Sequence, residues 1–193
     1  MKHIMLDLET LDSGPRAAVV ALGACVFDPY SFAPITEKFY LPIDPDSAIR
    51  AGGTVSGSTI KWWMQQSDDA RKQTFGAENP WPIPEALTQF DGWLRGQSVD
   101  YRDIAVWGHG ATFDNVIIRA AYEMCGIKPF WHYRGDKCYR TVINLLPEQN
   151  RPAFIRHGTA HNALDDAITQ ALYLQKCMAA LGPKTHCGWT GIE

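Results

Sequence analysis

Lys2-His3-Ile4-Met5-Leu6-Asp7-Leu8-Glu9-Thr10 opens the chain with an apolar run that ends on two acids. Residues 2–8 read as a short strand. Side chains on a strand alternate faces, so Asp7 and Glu9 point one way while Leu6 and Leu8 point the other. Outward from this stretch, a Gly14-Pro15 turn leads to a β-rich apolar run over residues 17–27. Asp28-Pro29 breaks that run, and residues 35–43 resume the strand pattern. Three strands on short turns predict an antiparallel meander.

Residues 45–57 are polar and Gly-rich. Ser58 is placed to cap a helix over residues 59–66, and Ser67 to cap another. Pro84 suits the first turn of a further helix whose Leu87, Phe90 and Leu94 share one face. Residues 103–107 predict a short strand. After Gly108-His109-Gly110 a helix is expected from about Phe113 to Cys125, with Val116, Ile117, Ala120, Ala121 and Met124 inward and Gly126 at its end. Residues 138–142 read as another strand. The last helix starts near Asn162 and turns Ala163, Ala167, Ala171 and Leu174 inward. Strands first, then strand–helix alternation, predict an α/β sandwich around a mixed sheet.

With 193 residues, 46% hydrophobic and 20% charged, the chain suits one globular domain, residues 1–181, followed by a tail over 182–193 with no assigned role. No apolar run approaches the ~18–20 residues of a membrane span. Asp7 sits where a signal peptide would carry its apolar core, so a cytoplasmic protein without a membrane partner is expected. Cys25, Cys125, Cys138, Cys177 and Cys187 are odd in number, scattered and free of any C-x-x-C pair. They predict free thiols in a reducing compartment rather than disulfides or structural zinc. The net charge of −3 opposes bulk coating of nucleic acid, yet residues 128–157 carry +4 against −7 for the remainder. A basic face on an acidic body fits a grip on a short strand end, or simply a solvated surface.

Three acidic signals carry chemistry. Asp7 and Glu9, side by side on a sheet, repel unless a positive group sits between them, and their hard oxygens suit Mg²⁺ or Mn²⁺. Alone, D-x-E describes a solvated strand end. Asp114 opens a helix, where a carboxylate is ordinarily stabilised by backbone N–H groups. In His161-Asn162-Ala163-Leu164-Asp165-Asp166, Asn162 is an N-cap and Asp165 stands in a capping-box position. Asp166 lies one step round the helix, and His161 in the preceding loop is free to face it.

Taken together and in this order, Asp7, Glu9, Asp114, His161 and Asp166 resemble the DEDDh family of 3′→5′ exonucleases, the RNase T and proofreading-subunit group. Asp7-Leu8-Glu9-Thr10-Leu11-Asp12-Ser13-Gly14, Ala17-Ala18-Val19, Thr59-Ile60-Lys61-Trp62-Trp63 and Gln66-Ser67 are similar to the branch holding phage exodeoxyribonucleases and a mycobacterial-type 3′→5′ exoribonuclease. The resemblance spans roughly residues 3–178. It departs at Cys138-Tyr139-Arg140-Thr141, where such proteins often carry an acid before Arg-Thr and where Asp136 is displaced.

The resemblance implies an RNase H-like fold. Its mixed five-stranded sheet has three antiparallel N-terminal strands plus parallel ones, with the site where the first strand ends beside residues 103–107. It implies two divalent ions: Asp7, Glu9 and Asp166 around the ion that activates water, Asp7 bridging to a second, and Asp114 holding that second ion through waters. His161 would take the proton from the attacking water, and nucleoside 5′-monophosphates would leave the 3′ end of a single strand. Thr10 and Leu11 are placed to meet the terminal sugar and base, and Phe113 and Asn115 flank Asp114. One of Trp62 and Trp63, with Trp63 as the choice, is expected to stack on a base; Arg140, Arg151 and Arg156 are candidates for phosphate. RNA and DNA stay equally open. A catalytically silent nucleic-acid-binding module of the same fold is the alternative, and a homodimer is expected because relatives are often dimers.

Overall fold

The computed structural model describes residues 1–182; most of the expected tail, Cys187 included, lies outside the described residues. Strand β1 (Lys2–Thr10) pairs antiparallel with β2 (Val19–Phe27), which pairs antiparallel with β3 (Lys38–Pro42). Four helices follow: α1 (Pro45–Arg50), α2 (Gly57–Met64), α3 (Asp68–Phe75) and α4 (Ile83–Gln97). Strand β4 (Ile104–Gly108) then lies parallel to β1. A single wide helical turn, Ala111–Asn115, feeds α5 (Val116–Met124). Edge strand β5 (Asp136–Cys138), α6 (Tyr139–Asn144) and the long α7 (Ala163–Leu181) complete the chain. The sheet order is β3-β2-β1-β4-β5, with the antiparallel meander on one side and the parallel strands on the other. This is the RNase H-like sandwich that the motifs imply.

Strand β1 is central, so both its faces are covered and its residues are buried from Ile4 onward. Ile4, Leu6 and Leu8 pack with Leu87, Phe90 and Leu94 of α4 and Ile117, Ile118 and Tyr122 of α5. Met5 lies on the opposite face with Ala167, Ala171 and Leu174 of α7. Alternation puts Asp7 and Glu9 on the Met5 side, so α7 delivers its own acid to them.

Two glycines permit that delivery. A Cβ on Gly23, the residue paired with Asp7, would stand 2.2 Å from the backbone of Ala163, so the first turn of α7 rests directly on β2. A Cβ on Gly108 would come within 2.8 Å of the Asp114 Cβ. Each glycine allows an approach that any side chain would block.

Several sequence expectations need correction. Residues 138–142 form helix rather than strand beyond Cys138: Tyr139 and Ile143 are buried at i, i+4 spacing, so helical packing wins. The cap of α2 is Ser56, whose hydroxyl accepts from Thr59 N at 3.2 Å, and Ser58 lies inside the first turn. Helix α1, unforeseen in the polar stretch, carries an Asp44 cap and a proline in its first turn. In α5 the inward face is Ile117, Ile118, Ala121 and Tyr122, while Val116 is exposed. Asn162 caps α7 as expected, but the Asp165 carboxylate accepts from Thr159 N at 2.7 Å instead of closing a capping box. Among the described residues Cys25, Cys125, Cys138 and Cys177 are free thiols, and no helix is long and apolar enough to cross a membrane.

Candidate active site

The C-terminal half of β1, the start of α7 and the loop before it enclose a cavity of about 450 Å³. Asp7, Glu9, Asp166 and His161 all face it. One ligand atom each from Glu9, His161 and Asp166 fall within 4.8 Å of one another, close enough to share a cation. A smaller recess next door is lined by Asp7, Asp114 and Arg140, so Asp7 faces both spaces. The five side chains singled out from the sequence are therefore gathered around one carboxylate.

Each is held by local structure. The β1–β2 register shifts between Glu9 and Thr10, a bulge at the rim of the cavity. Asp114 Oδ2 accepts from Gly110 N at 3.2 Å, across the wide turn. Asp166 Oδ2 accepts from the backbone N of His161 at 3.1 Å, and the Arg156 guanidinium pairs with the other oxygen. His161 has φ 64°, the sole non-glycine in left-handed backbone among the described residues. The Thr74 hydroxyl donates to its carbonyl at 3.1 Å, and the Trp62 indole meets its ring edge-on at 4.8 Å. A non-glycine held in that conformation is strained, and such strain is characteristic of functional positions.

The electrostatics call for positive charge. Burial, then the Asp114, Glu9 and Asp166 carboxylates, raise the Asp7 pKa well above its usual range. Burial, then the Asp166 and Asp114 carboxylates, push Glu9 up to about 8, and burial pushes Asp114 up to about 6. Glu9 Oε1 is buried without a hydrogen-bond partner. A buried, unpartnered carboxylate oxygen beside other acids suits a hard cation. The donor set fits Mg²⁺ or Mn²⁺, and Arg156 supplies part of the missing charge.

The match to known proteins agrees with this geometry. The family model described as the 3′–5′ exoribonuclease Rv2179c-like domain matches residues 2–178. The chain belongs to the Rv2179c-like family. A curated relative, the exodeoxyribonuclease of Enterobacteria phage T4, is 24% identical over 209 residues, covering 92% of this chain and 91% of that protein. Two solved structures share the fold. Cell-death related nuclease 4 superposes with a TM-score of 0.63 at 16% identity, covering 94% of this chain and 64% of the other, so this chain spans just under two thirds of that protein. The nuclease domain of 3′hExo, a DEDDh family member bound to rAMP, gives 0.61 at 14% identity, covering 94% and 92%. The Rv2179c-like chain is a 3′–5′ exonuclease.

Two of the substrate residues expected in this Rv2179c-like protein, Leu11 and Asn115, turn away from the cavity, while Trp63 lines it with little exposed surface. Leu11 is 6% exposed and belongs to the core, leaving Asp12 and Ser13 at the cavity rim. Asn115 Nδ2 donates to the Val106 carbonyl at 3.0 Å and to Asp136 Oδ1 at 3.3 Å, bracing β4 rather than facing substrate. Trp63 is 4% exposed and its indole N–H donates to the Thr10 carbonyl at 2.9 Å, so the open indole of the pair is Trp62, at 40%. Thr10, Phe113 and Arg140 do border the cavity or its recess. Arg151 is tied to its own loop through the Leu146 carbonyl at 3.1 Å. The displaced Asp136 accepts from Arg119 Nε at 2.6 Å and Trp131 Nε1 at 2.7 Å, a structural post.

Sequence reading missed Gln170 and Phe154. Gln170 Nε2 donates to Asp7 Oδ1 at 2.7 Å, and its spacing of four from Asp166 was the available signal. Replacing it by Leu is expected to keep the fold but raise the Mn²⁺ concentration needed for half-maximal activity by about 10–100-fold, the usual cost of losing such a partner. An unchanged metal titration would show that Gln170 only fills space.

The raised pKa values also fix a pH dependence. Groups whose folded pKa exceeds the unfolded value bind protons on folding, so their stabilisation is complete below about 4 and is lost as pH rises through about 6 and about 8. Metal-free protein is expected to melt at a lower temperature at pH 8.5 than at pH 5, with Mn²⁺ restoring the loss at the higher pH. Scanning calorimetry in EDTA and in Mn²⁺ checks this, and a flat metal-free profile would contradict it.

Proposed function

We propose that this exonuclease removes nucleoside 5′-monophosphates from the 3′ end of a single strand, using two Mg²⁺ or Mn²⁺ ions. The observation that carries the reading is the convergence of Asp7, Glu9, Asp166 and His161 on one cavity while Asp7 also meets Asp114 next door. Asp7, Glu9 and Asp166 would hold one ion, and Asp7 and Asp114 the other. Bound there, the ions would sharpen the nucleophilicity of water and offset charge on the phosphate and leaving oxygen.

The chain's own groups do the rest. His161 takes the proton of the attacking water on its imidazole, with its loop pinned by Thr74 and Asp166. Arg156, paired with Asp166 at the cavity wall, would also be in reach of a substrate phosphate. Trp62 and Phe154, 40% and 55% exposed, offer faces on which a base can stack at the cavity mouth. Arg140, exposed beside the recess, reaches a phosphate of the same strand.

A space of about 450 Å³ suits one nucleotide-sized ligand, which fits removal from an end. The family's description points to RNA, and the T4 relative's to DNA. Digestion of matched end-labelled RNA and DNA oligonucleotides, single- and double-stranded, with Mg²⁺, Mn²⁺ or EDTA decides between them. Stepwise loss from the 3′ end that EDTA stops is the expected result; cleavage that survives EDTA, or products with 3′-phosphates, would refute the reading. A silent binding module would bind the strand without shortening it. The expected homodimer is checked by sedimentation velocity.

A further inference from the structure

At the opposite end of the sheet lies a second concavity of about 720 Å³ that the nuclease chemistry does not use. Its lining residue Tyr101 lies just before β4, whose first residue, Ile104, pairs with Lys2 of β1. Lys2 and Glu9 are seven positions apart along β1, roughly 23 Å at the rise of a strand, so the two sites are distinct.

The wall is aromatic and basic. The Tyr101 and His132 rings stand 5.9 Å apart, and His132 and Tyr133 4.4 Å apart with only 35° between their planes. Tyr101 and Tyr133 are 39% and 61% exposed, so both rings are open to a ligand. Guanidinium groups lie over these rings: Arg95 over Phe130 at 4.2 Å in the concavity itself, and Arg102 over Tyr101 at 5.2 Å and Arg134 over Tyr133 at 5.9 Å in the recess that adjoins it through His132 and Tyr133. Arg95, Lys128 and Arg134 are exposed and, like Arg102, form no ion pair among the described residues.

The nearby acids are already engaged. Asp103 is taken by the N-terminal amine at 2.8 Å, Asp136 by Arg119 at 2.6 Å, and Asp100 accepts from the Arg102 backbone at 2.9 Å. Asp100 keeps its charge, but Arg95, Arg102, Lys128 and Arg134 outnumber it, so the surface is positive beside stackable rings on a chain whose net charge is −3.

We infer that this concavity is a second site for single-stranded nucleic acid, gripping the body of the strand whose 3′ end enters the active site. The inference rests on the proposed substrate class. Rings with interleaved cations suit such a strand, because every base has a face to stack and every nucleotide a phosphate to pair. An acidic protein would satisfy the cations but leave the ladder of rings without planar partners.

The test compares substrates of about 4 and about 20 nucleotides, since one site of this kind covers roughly 4–16. Two variants are made in the full chain: Tyr133→Ala with Arg134→Ala, and Lys128→Glu. All three side chains are exposed, and none lies in the catalytic cavity. On the long substrate KM is expected to rise about tenfold with kcat unchanged, while both constants stay level on the short one. Anisotropy of a labelled 20-mer in EDTA should show the same loss of affinity and a shallower salt dependence, by about 0.7 in log–log slope per phosphate contact removed.

Unchanged KM on the long substrate, or equal losses on both lengths, would overturn the inference. So would a shift from dimer to monomer on sedimentation, which would make the surface a contact with a second copy. Wild-type protein inert on both lengths would sink the nuclease reading instead, and the anisotropy arm would still decide this surface.

Discussion

Asp7→Asn is expected to lower turnover by at least about 10³-fold while raising the melting temperature of the metal-free protein at pH 8. Asp7 is the one carboxylate that faces both the main cavity and the recess of Asp114, so it is the shared ligand of the proposed ion pair. Losing its charge weakens both positions at once, and several kcal/mol of transition-state stabilisation go with them. The fold should gain. Without cations, Asp114, Glu9 and Asp166 all oppose ionisation of Asp7. A neutral amide removes that repulsion, and its oxygen can still accept from Gln170, now 2.7 Å from Asp7 Oδ1. A gain of a few degrees is reasonable for a chain of this length. The two readouts, kcat and melting in EDTA, must move in opposite directions. A variant that loses activity because it unfolds would show the opposite melting shift and would not support the ligand role.

His161→Ala is expected to cost about 10²–10⁴-fold in kcat with metal affinity nearly intact, the size of effect a positioned general base supplies. The loop that carries His161 is held at its carbonyl by Thr74 and at its amide by Asp166, so the side chain can be removed without moving Asp166. His161 also stands within 4.8 Å of the Glu9 and Asp166 ligand atoms, a distance compatible with direct ligation. Calorimetric titration with Mn²⁺ separates the roles: a loss of affinity as large as that of Asp7→Asn would make the imidazole a ligand rather than the base.

Both variants act on residues legible in the chain itself. Their visibility has a local cause. Alternation along β1 sets Asp7 and Glu9 on one face, a helix start places Asp114, and the Asn162 cap fixes where α7 begins and hence where Asp166 points. These are properties of a few consecutive residues, so the primary structure carries them. Strand β4 was legible for the same reason, as a short apolar run before a glycine-rich turn, whereas β5 ends where the expected strand was to begin.

What the chain alone did not decide depends on partners distant in sequence. Trp62 and Trp63 are equivalent until β1 offers the Thr10 carbonyl to one of them. Leu11 and Asn115 adjoin the motifs, yet the core and Asp136 claim their side chains. Gln170 reaches Asp7 across 163 positions, and Arg156 meets Asp166 only because the loop before α7 folds back over the site. The sequence by itself determined the element that bears each acid and the acids' order along the chain. Tertiary packing decided which neighbouring side chains face the cavity, because that direction is set by whatever occupies the other side, and burial is a property of the assembled layers rather than of any local stretch.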